Sequence, residues 1–304
     1  MMNILCVRRS ACRPVAGTPK SMGGFSLTEL AVVLVIVALL AGYFFSTGTQ
    51  FIEIGKRKET ETKLKAIEEA LAGYVAVHGR LPCPADGSRD LSYSLLGHEH
   101  GSAGGCTDNQ QNGVVPWVTI GLSEADTVDG WNRRITYRVG QYLWVAGGMD
   151  MTKCDPAGTD STTATPKLCN ASCASTNLGL CSAPDKFLQP GKGLNVMDAA
   201  SGGNPLMSAT ATPTTTGAAY VLISHGRNML GSYPVGGGSL LPITGSGDNE
   251  APNANGAGIT DFSTKIFVDR DLNEQTGSAY FDDIVRRPDI MKVILKAQRG
   301  PRAH

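Results

Sequence analysis

Gly23-Gly24-Phe25-Ser26-Leu27-Thr28-Glu29-Leu30, followed by the apolar run from Ala31 to Phe45, is the stretch that decides how this chain is read. No charged residue occurs from Leu30 to Ile52. Helical residues over that run, rising about 1.5 Å each, would reach roughly 35 Å, enough for the hydrocarbon core of a bilayer. The sequence therefore predicts a membrane-length helix with a single carboxylate, Glu29, at its mouth. A lone acid there is costly to desolvate and needs a cationic partner. Upstream, Arg8, Arg9, Arg13 and Lys20 form a basic flank with no acidic residue, the pattern of a targeting leader held on the cytoplasmic side. Gly23 and Gly24 precede the apolar run, so a protease that binds this flexible strip leaves the helix attached to the product.

Gly24-Phe25 with Glu29 and an unbroken apolar helix resembles the class III signal of type IV pilins and type II secretion pseudopilins, whose fifth mature residue is a glutamate. The resemblance covers a small part of the chain. It implies that a prepilin peptidase cuts between Gly24 and Phe25 and methylates the new amine. Two features depart from the pattern: the leader is long, and Ser46 stands where many pilins carry a helix-kinking proline. The physics of Glu29 points the same way. Cleavage creates an ammonium on Phe25 one helical turn from the Glu29 side chain, within one chain or between neighbours. In a packed filament core an unpaired carboxylate costs several kcal/mol, and a neighbour's Phe25 ammonium offsets much of that.

Four of the 27 basic side chains, and none of the 27 acidic ones, lie in residues 1–24, so removal of that segment leaves a net charge near minus four. That balance argues against a general nucleic-acid binder. Cys6 and Cys12 also fall in the leader, leaving Cys83, Cys106, Cys154, Cys169, Cys173 and Cys181. An even number suits an oxidising periplasm. Cys83 and Cys106 bracket a Gly-rich loop and are read as one disulfide, while the other four admit three pairings. Cys169-x-x-x-Cys173 has a spacing that zinc accepts, but no His accompanies the cluster.

Beyond the apolar run, Leu64, Ile67, Leu71 and Tyr74 or Val75 recur at three- and four-residue steps opposite Lys58, Glu61, Lys65 and Glu68. This spacing predicts an amphipathic helix over 53–79, capped by Gly79 and stopped by Pro82 and Pro84. Residues 85–113 read as a loop. Alternation from Arg134 to Val139, resumed at Tyr142-Leu143-Trp144-Val145, predicts two antiparallel strands. Asp129-Gly130-Trp131 with Tyr137 is partly similar to a segment of major pseudopilins, and Trp131 is read as a core or sheet-covering residue. Residues 150–218, rich in Thr, Ser, Ala, Gly and Pro, read as a disulfide-bearing, low-complexity insertion. Ala219 to Ile223 reads as a short buried strand, Thr264 to Val268 as another, and Ile290 to Leu295 as a strand or short helix.

The search for catalysis yields little. Ser224-His225 with Asp248 or Asp261 suggests a hydrolytic set, but adjacent side chains on an extended chain point to opposite faces. His98-Glu99-His100 is a small cluster with metal-ligating chemistry. Asp269-x-Asp271-x-Asn273 begins like a calcium loop, yet Glu274 replaces the turn glycine, which excludes an EF-hand. Ser224-His225-Gly226 and Asp282-Asp283-Ile284 are similar to elements of pseudopilin C-terminal loops. That likeness implies Asp282 and Asp283 as ligands of a structural calcium; otherwise no cofactor is expected.

The sequence thus leads to an α+β, pilin-like fold: a leader (1–24), a transmembrane or filament-core helix (25–52), an amphipathic helix (53–79) and a globular head (80–304) with a small antiparallel sheet and long disulfide-bearing loops. The function implied is structural, not enzymatic. It is that of a minor or tip subunit of a type IV pilus or a type II secretion pseudopilus. The implied partners are other pilins or pseudopilins, the prepilin peptidase, the inner-membrane assembly platform and the lipid bilayer, with no nucleic acid. The implied location is the bacterial inner membrane, with the head in the periplasm, and then a filament. The alternative is a membrane-anchored periplasmic binding protein or enzyme with an uncleaved signal anchor.

Overall fold

A computed structural model describes residues 26–102, 105–106, 113–140, 143–144, 151, 193–208, 217–244, 247–256 and 265–298; within the first range, the backbone alone is described over 43–49. The chain divides into two compact units, residues 1–50 and 51–304.

Helix α1 runs from Leu27 to His78. In the first unit every described side chain from Ser26 to Leu40 is exposed. The transmembrane half of the expected fold needs correction: among the described residues no helix is long and apolar enough to cross a membrane.

In the second unit the last part of α1 is amphipathic as a packing element: Leu64, Ile67, Leu71 and Val75 are completely buried. Each contributes about 2 kcal/mol by leaving water. The helix stops at His78 because Gly79 adopts φ +69°, the left-handed cap that closes a last turn.

The strands that follow are short. They are β1 (Ala85–Asp86), β2 (Gly101–Ser102), β3 (Gly105–Cys106), β4 (Gly113–Val114), β5 (Arg133–Arg134) and β6 (Thr136–Val139). Then come β7 (Asn195–Met197), β8 (Pro205–Met207), β9 (Tyr220–Ser224), β10 (Tyr233–Pro234), β11 (Ile266–Val268) and β12 (Ile284–Arg286). Helix α2 (Ile290–Gln298) follows, with its first turn capped by the Asp289 carboxylate, which accepts from the Lys292 N–H at 2.7 Å.

The main sheet has the order β1-β4-β6-β9-β12 and is antiparallel throughout. Central strand β9 is buried on both faces. Tyr220 and Leu222 join Leu64, Leu71, Ile290 and Ile294 in one core, while Val221 and Ile223 join Leu194, Val196, Met207 and Phe267 in another. The second core is covered by a three-stranded sheet, β11-β7-β8, in which β11 and β7 run parallel. The head is therefore helices, five-stranded sheet and smaller sheet, mostly β, where one small antiparallel sheet was expected.

Three local expectations also change. Leu143 and Trp144 lie in a turn and not in a strand, because β6 is already paired with β4 and β9, and the Leu143 carbonyl instead accepts from Leu81 N–H at 2.7 Å. Part of the expected low-complexity insertion is ordered as β7 and β8, whose sparse apolar side chains are buried by the distant β11. Two strand pairs also stand where 85–113 reads as a loop, because Ala85 and Val114 pair across β1 and β4 and Gly101 pairs with Cys106. Residues 290–298 are helical, with Ile290, Val293, Ile294 and Ala297 buried at helical spacing. Trp131 is buried in the main core, its Nε1 donating to Glu53 at 3.0 Å.

Cys83 and Cys106 form a disulfide that closes the loop carrying β2 and β3. Replacing both by Ser is expected to lower head stability by about 3 kcal/mol through loop entropy, with the denaturation midpoint in urea as the measurement.

Candidate functional site

Two places carry the expected functional residues. At the start of α1, Gly24 and Phe25 lie outside the described residues, and Glu29 occupies the first turn. Its Oε2 accepts from Ser26 N–H at 3.2 Å and from Ser26 Oγ at 3.3 Å, while Glu29 N–H donates to Ser26 Oγ at 3.1 Å. This reciprocal arrangement is a capping box, and it satisfies two donors that a helix start leaves orphaned. The Ser26-x-x-Glu29 spacing carries that signal in the sequence, beside the charge that calls for an ammonium partner.

The second place lies where β12 meets β9. Ile284 pairs with Ser224, so the Asp-Asp-Ile and Ser-His-Gly elements, far apart in sequence, become neighbours. Gly226, at φ +56°, packs so closely that a Cβ would sit 2.6 Å from Asp282 Oδ1. Asp282 Oδ2 accepts from the N–H groups of Arg227 and Asn228, at 2.8 and 3.0 Å, and from Tyr280 Oη at 2.8 Å. Its carbonyl accepts from Arg57 on α1 at 3.0 Å.

A third acid joins this pair. Glu250, Asp282 and Asp283 are all buried and offer ligand atoms within 4.8 Å of one another, the only such set among the described residues. Sequence reasoning misses Glu250 because it lies in a turn-rich stretch with no motif, and only folding brings it near. Glu250 Oε1 accepts from Asp282 N–H at 2.9 Å, and its Oε2 from Asn228 Nδ2 at 2.7 Å. Asp283 Oδ2 accepts from Asn253 Nδ2 at 2.8 Å, and its Oδ1 lies 3.8 Å from His225 Nδ1.

Burial and mutual repulsion set the protonation here. Desolvation, reinforced by Asp282, raises the Glu250 carboxyl to about 7. Burial, then the Glu250 charge, pushes Asp283 well above the usual range. Burial and the nearby Arg138 lower His225 to about 3. Carboxylate oxygens are hard donors suited to calcium or magnesium. Most of these oxygens already accept from protein N–H groups, whereas the buried Asp282 Oδ1 has no hydrogen-bond partner. It is the atom with capacity left for a cation.

Ser224 Oγ donates to Asp129 at 2.6 Å, and the His225 ring bonds Thr136 at 2.8 Å, so Ser224 and His225 do not pair with each other. Asp261 lies outside the described residues, and no side-chain bond joins Asp248 to Ser224 or His225. Glu99 is committed to Arg80 by two bonds of 2.9 Å and to Cys83 N–H, away from His98 and His100. Asn273 forms an antiparallel bridge with Phe281. Cys154, Cys169, Cys173 and Cys181 lie outside the described residues. No family model, curated protein or solved structure matches this chain.

The pH dependence follows from the signs of these shifts. A carboxyl raised in the folded state stabilises the head at low pH, and that contribution fades as pH climbs through the folded value. The lowered His225 acts oppositely, its contribution fading as pH falls below its ordinary 6.5. Above that value, and below about pH 8 where the burial-lowered Lys265 begins to oppose them, the carboxyls dominate. With a chelator present, the melting temperature is expected to fall between about pH 6.5 and about pH 8. Asp283→Asn, isosteric and neutral, is expected to raise stability at the upper end by about 1 kcal/mol and flatten the slope, as read by thermal melts.

Proposed function

We propose that this chain is a pilin-like structural subunit, cut by a prepilin peptidase after Gly24 and assembled through its N-terminal helix into a type IV pilus or a type II secretion pseudopilus, as a minor or tip subunit. The observation that carries the reading is the start of α1: an exposed apolar surface, with Leu27 87 % and Leu39 71 % exposed, headed by a single acid. So much contiguous apolar surface needs a cover, and copies of the same helix supply one of matching length and character. Glu29 then needs a cation once water is excluded, and the amine released at Phe25, four residues before it in sequence, has the right charge.

The size of the head favours a minor or tip position, since close stacking of subunits leaves little room for long insertions. The acidic cluster fits a structural calcium that neutralises Glu250, Asp282 and Asp283 and fixes the loop against Arg57. The activity on this reading is assembly and not catalysis.

N-terminal mass spectrometry of the protein isolated from its native host is the direct test. The expected N-terminus is N-methyl-Phe25; a chain that retains residues 1–24 overturns the proposal and leaves a tethered binding protein or enzyme. Glu29→Gln, which keeps much of the capping geometry but loses the charge, is expected to cut filament yield at least about tenfold. Wild-type yield in that variant would remove the electrostatic basis of assembly.

A further inference from the structure

A polar cleft of about 650 Å³ opens between the turn after β7 and the loop after β11. Strands β7 and β11 are parallel, with Met197 opposite Val268, so both end at one edge and deliver Asp198 and Asp269 to the same wall. Five of the ten described lining residues are charged, against 18 % of the whole chain. That enrichment needs a cause.

Some of the charge is spent on building the cleft. Asp198 accepts from the N–H and side-chain amide of Asn204, at 2.6 and 3.0 Å, which closes the glycine-containing turn. Asp269 accepts from Arg287 Nε at 2.6 Å. The Asn204 bonds, and more weakly the Arg270 guanidinium, hold the Asp198 carboxyl below its usual range. Two charges are left over. Neither the half-buried Arg270 guanidinium nor the Asp271 carboxylate makes a hydrogen bond or ion pair among the described residues, although both line the cleft. Among the described residues Arg287 also keeps its terminal nitrogens uncommitted, since its one bond there runs through Nε.

The unspent groups define the ligand. Two guanidiniums in the wall repel a divalent cation, and the acids are not gathered as they are around Glu250. Three carboxylates disfavour a phosphate dianion, and no aromatic ring stands among the described lining residues for stacking. An adjacent unspent cation and unspent anion are satisfied together by a molecule that carries a carboxylate and an ammonium a few ångströms apart. The volume suits a ligand of two or three residues. We propose that this cleft binds a short zwitterionic peptide, its carboxylate on Arg270 and Arg287 and its ammonium on Asp271.

Titration calorimetry of the full chain with triglycine tests this, alongside N-acetyl-triglycine, triglycine amide, glucuronate and inorganic phosphate. Saturable millimolar binding of triglycine alone is expected, weakened about tenfold by blocking either end and by Arg270→Ala or Asp271→Ala. A parallel amide-shift map of the unaltered protein should show changes at Gly202, Gly203 and Arg270. Absence of saturable heat, equal binding of a blocked peptide, tighter binding of glucuronate or phosphate, or shifts elsewhere in the head would each overturn the assignment.

Discussion

The head depends on how the apolar stripe of α1 is seated on the two central strands. Leu64, Ile67, Leu71 and Val75 share one core with Tyr137 and Val139 of β6 and Tyr220 and Leu222 of β9. Apolar burial is not directional, so polar bonds must fix where along the helix the sheet sits. Thr60 Oγ1 accepts from Gly130 N–H at 2.9 Å, Lys63 Nζ donates to the Val128 carbonyl at 2.9 Å, and Glu53 receives the Trp131 indole. Arg57 completes the row on the Asp282 carbonyl. The acidic cluster is thereby tied to the same helix that orders the core.

The opposite face of the main sheet is unusual in being partly polar. Thr136 and Arg138 of β6 point away from the helix core, and Asn255 bonds both, at 2.6 and 3.0 Å. Asp129 accepts from Ser224 and from the N–H groups of Trp131 and Arg133. Buried polar layers of this kind are costly unless satisfied, and when satisfied they favour one register over its neighbours. Here they specify how β6, β9 and the loop of Asn253 and Asn255 fit together, which in turn places Asp283 beside Asn253.

What the sequence makes legible follows from locality. The helical spacing of Leu64 to Val75, the apolar run of β9 and the isolated cysteine pair all carry their signal within a few residues or a single loop. Strands β7 and β8 are illegible because Leu194, Val196 and Met207 look like scattered apolar residues in a polar tract until β11 arrives beside them. Leu143 reads as strand by alternation, and only the full occupancy of both edges of β6 keeps it out of the ladder. Glu250 belongs to the acidic cluster through tertiary structure alone. The capping box at Ser26 is local and readable, but the apolar run beside it draws attention to desolvation first.

The strand order of the main sheet also dictates when the head can form during synthesis. Neighbours β6 and β9 are separated by some eighty residues, and β12, which covers the outer side of β9, emerges only some sixty residues after it. Until then a strand buried on both faces in the finished protein presents an open ladder of backbone donors and acceptors. Such non-local topology slows folding and prolongs exposure of a sticky edge. A chaperone that holds the chain from the emergence of Tyr220 until Arg286 is free would protect its most aggregation-prone interval.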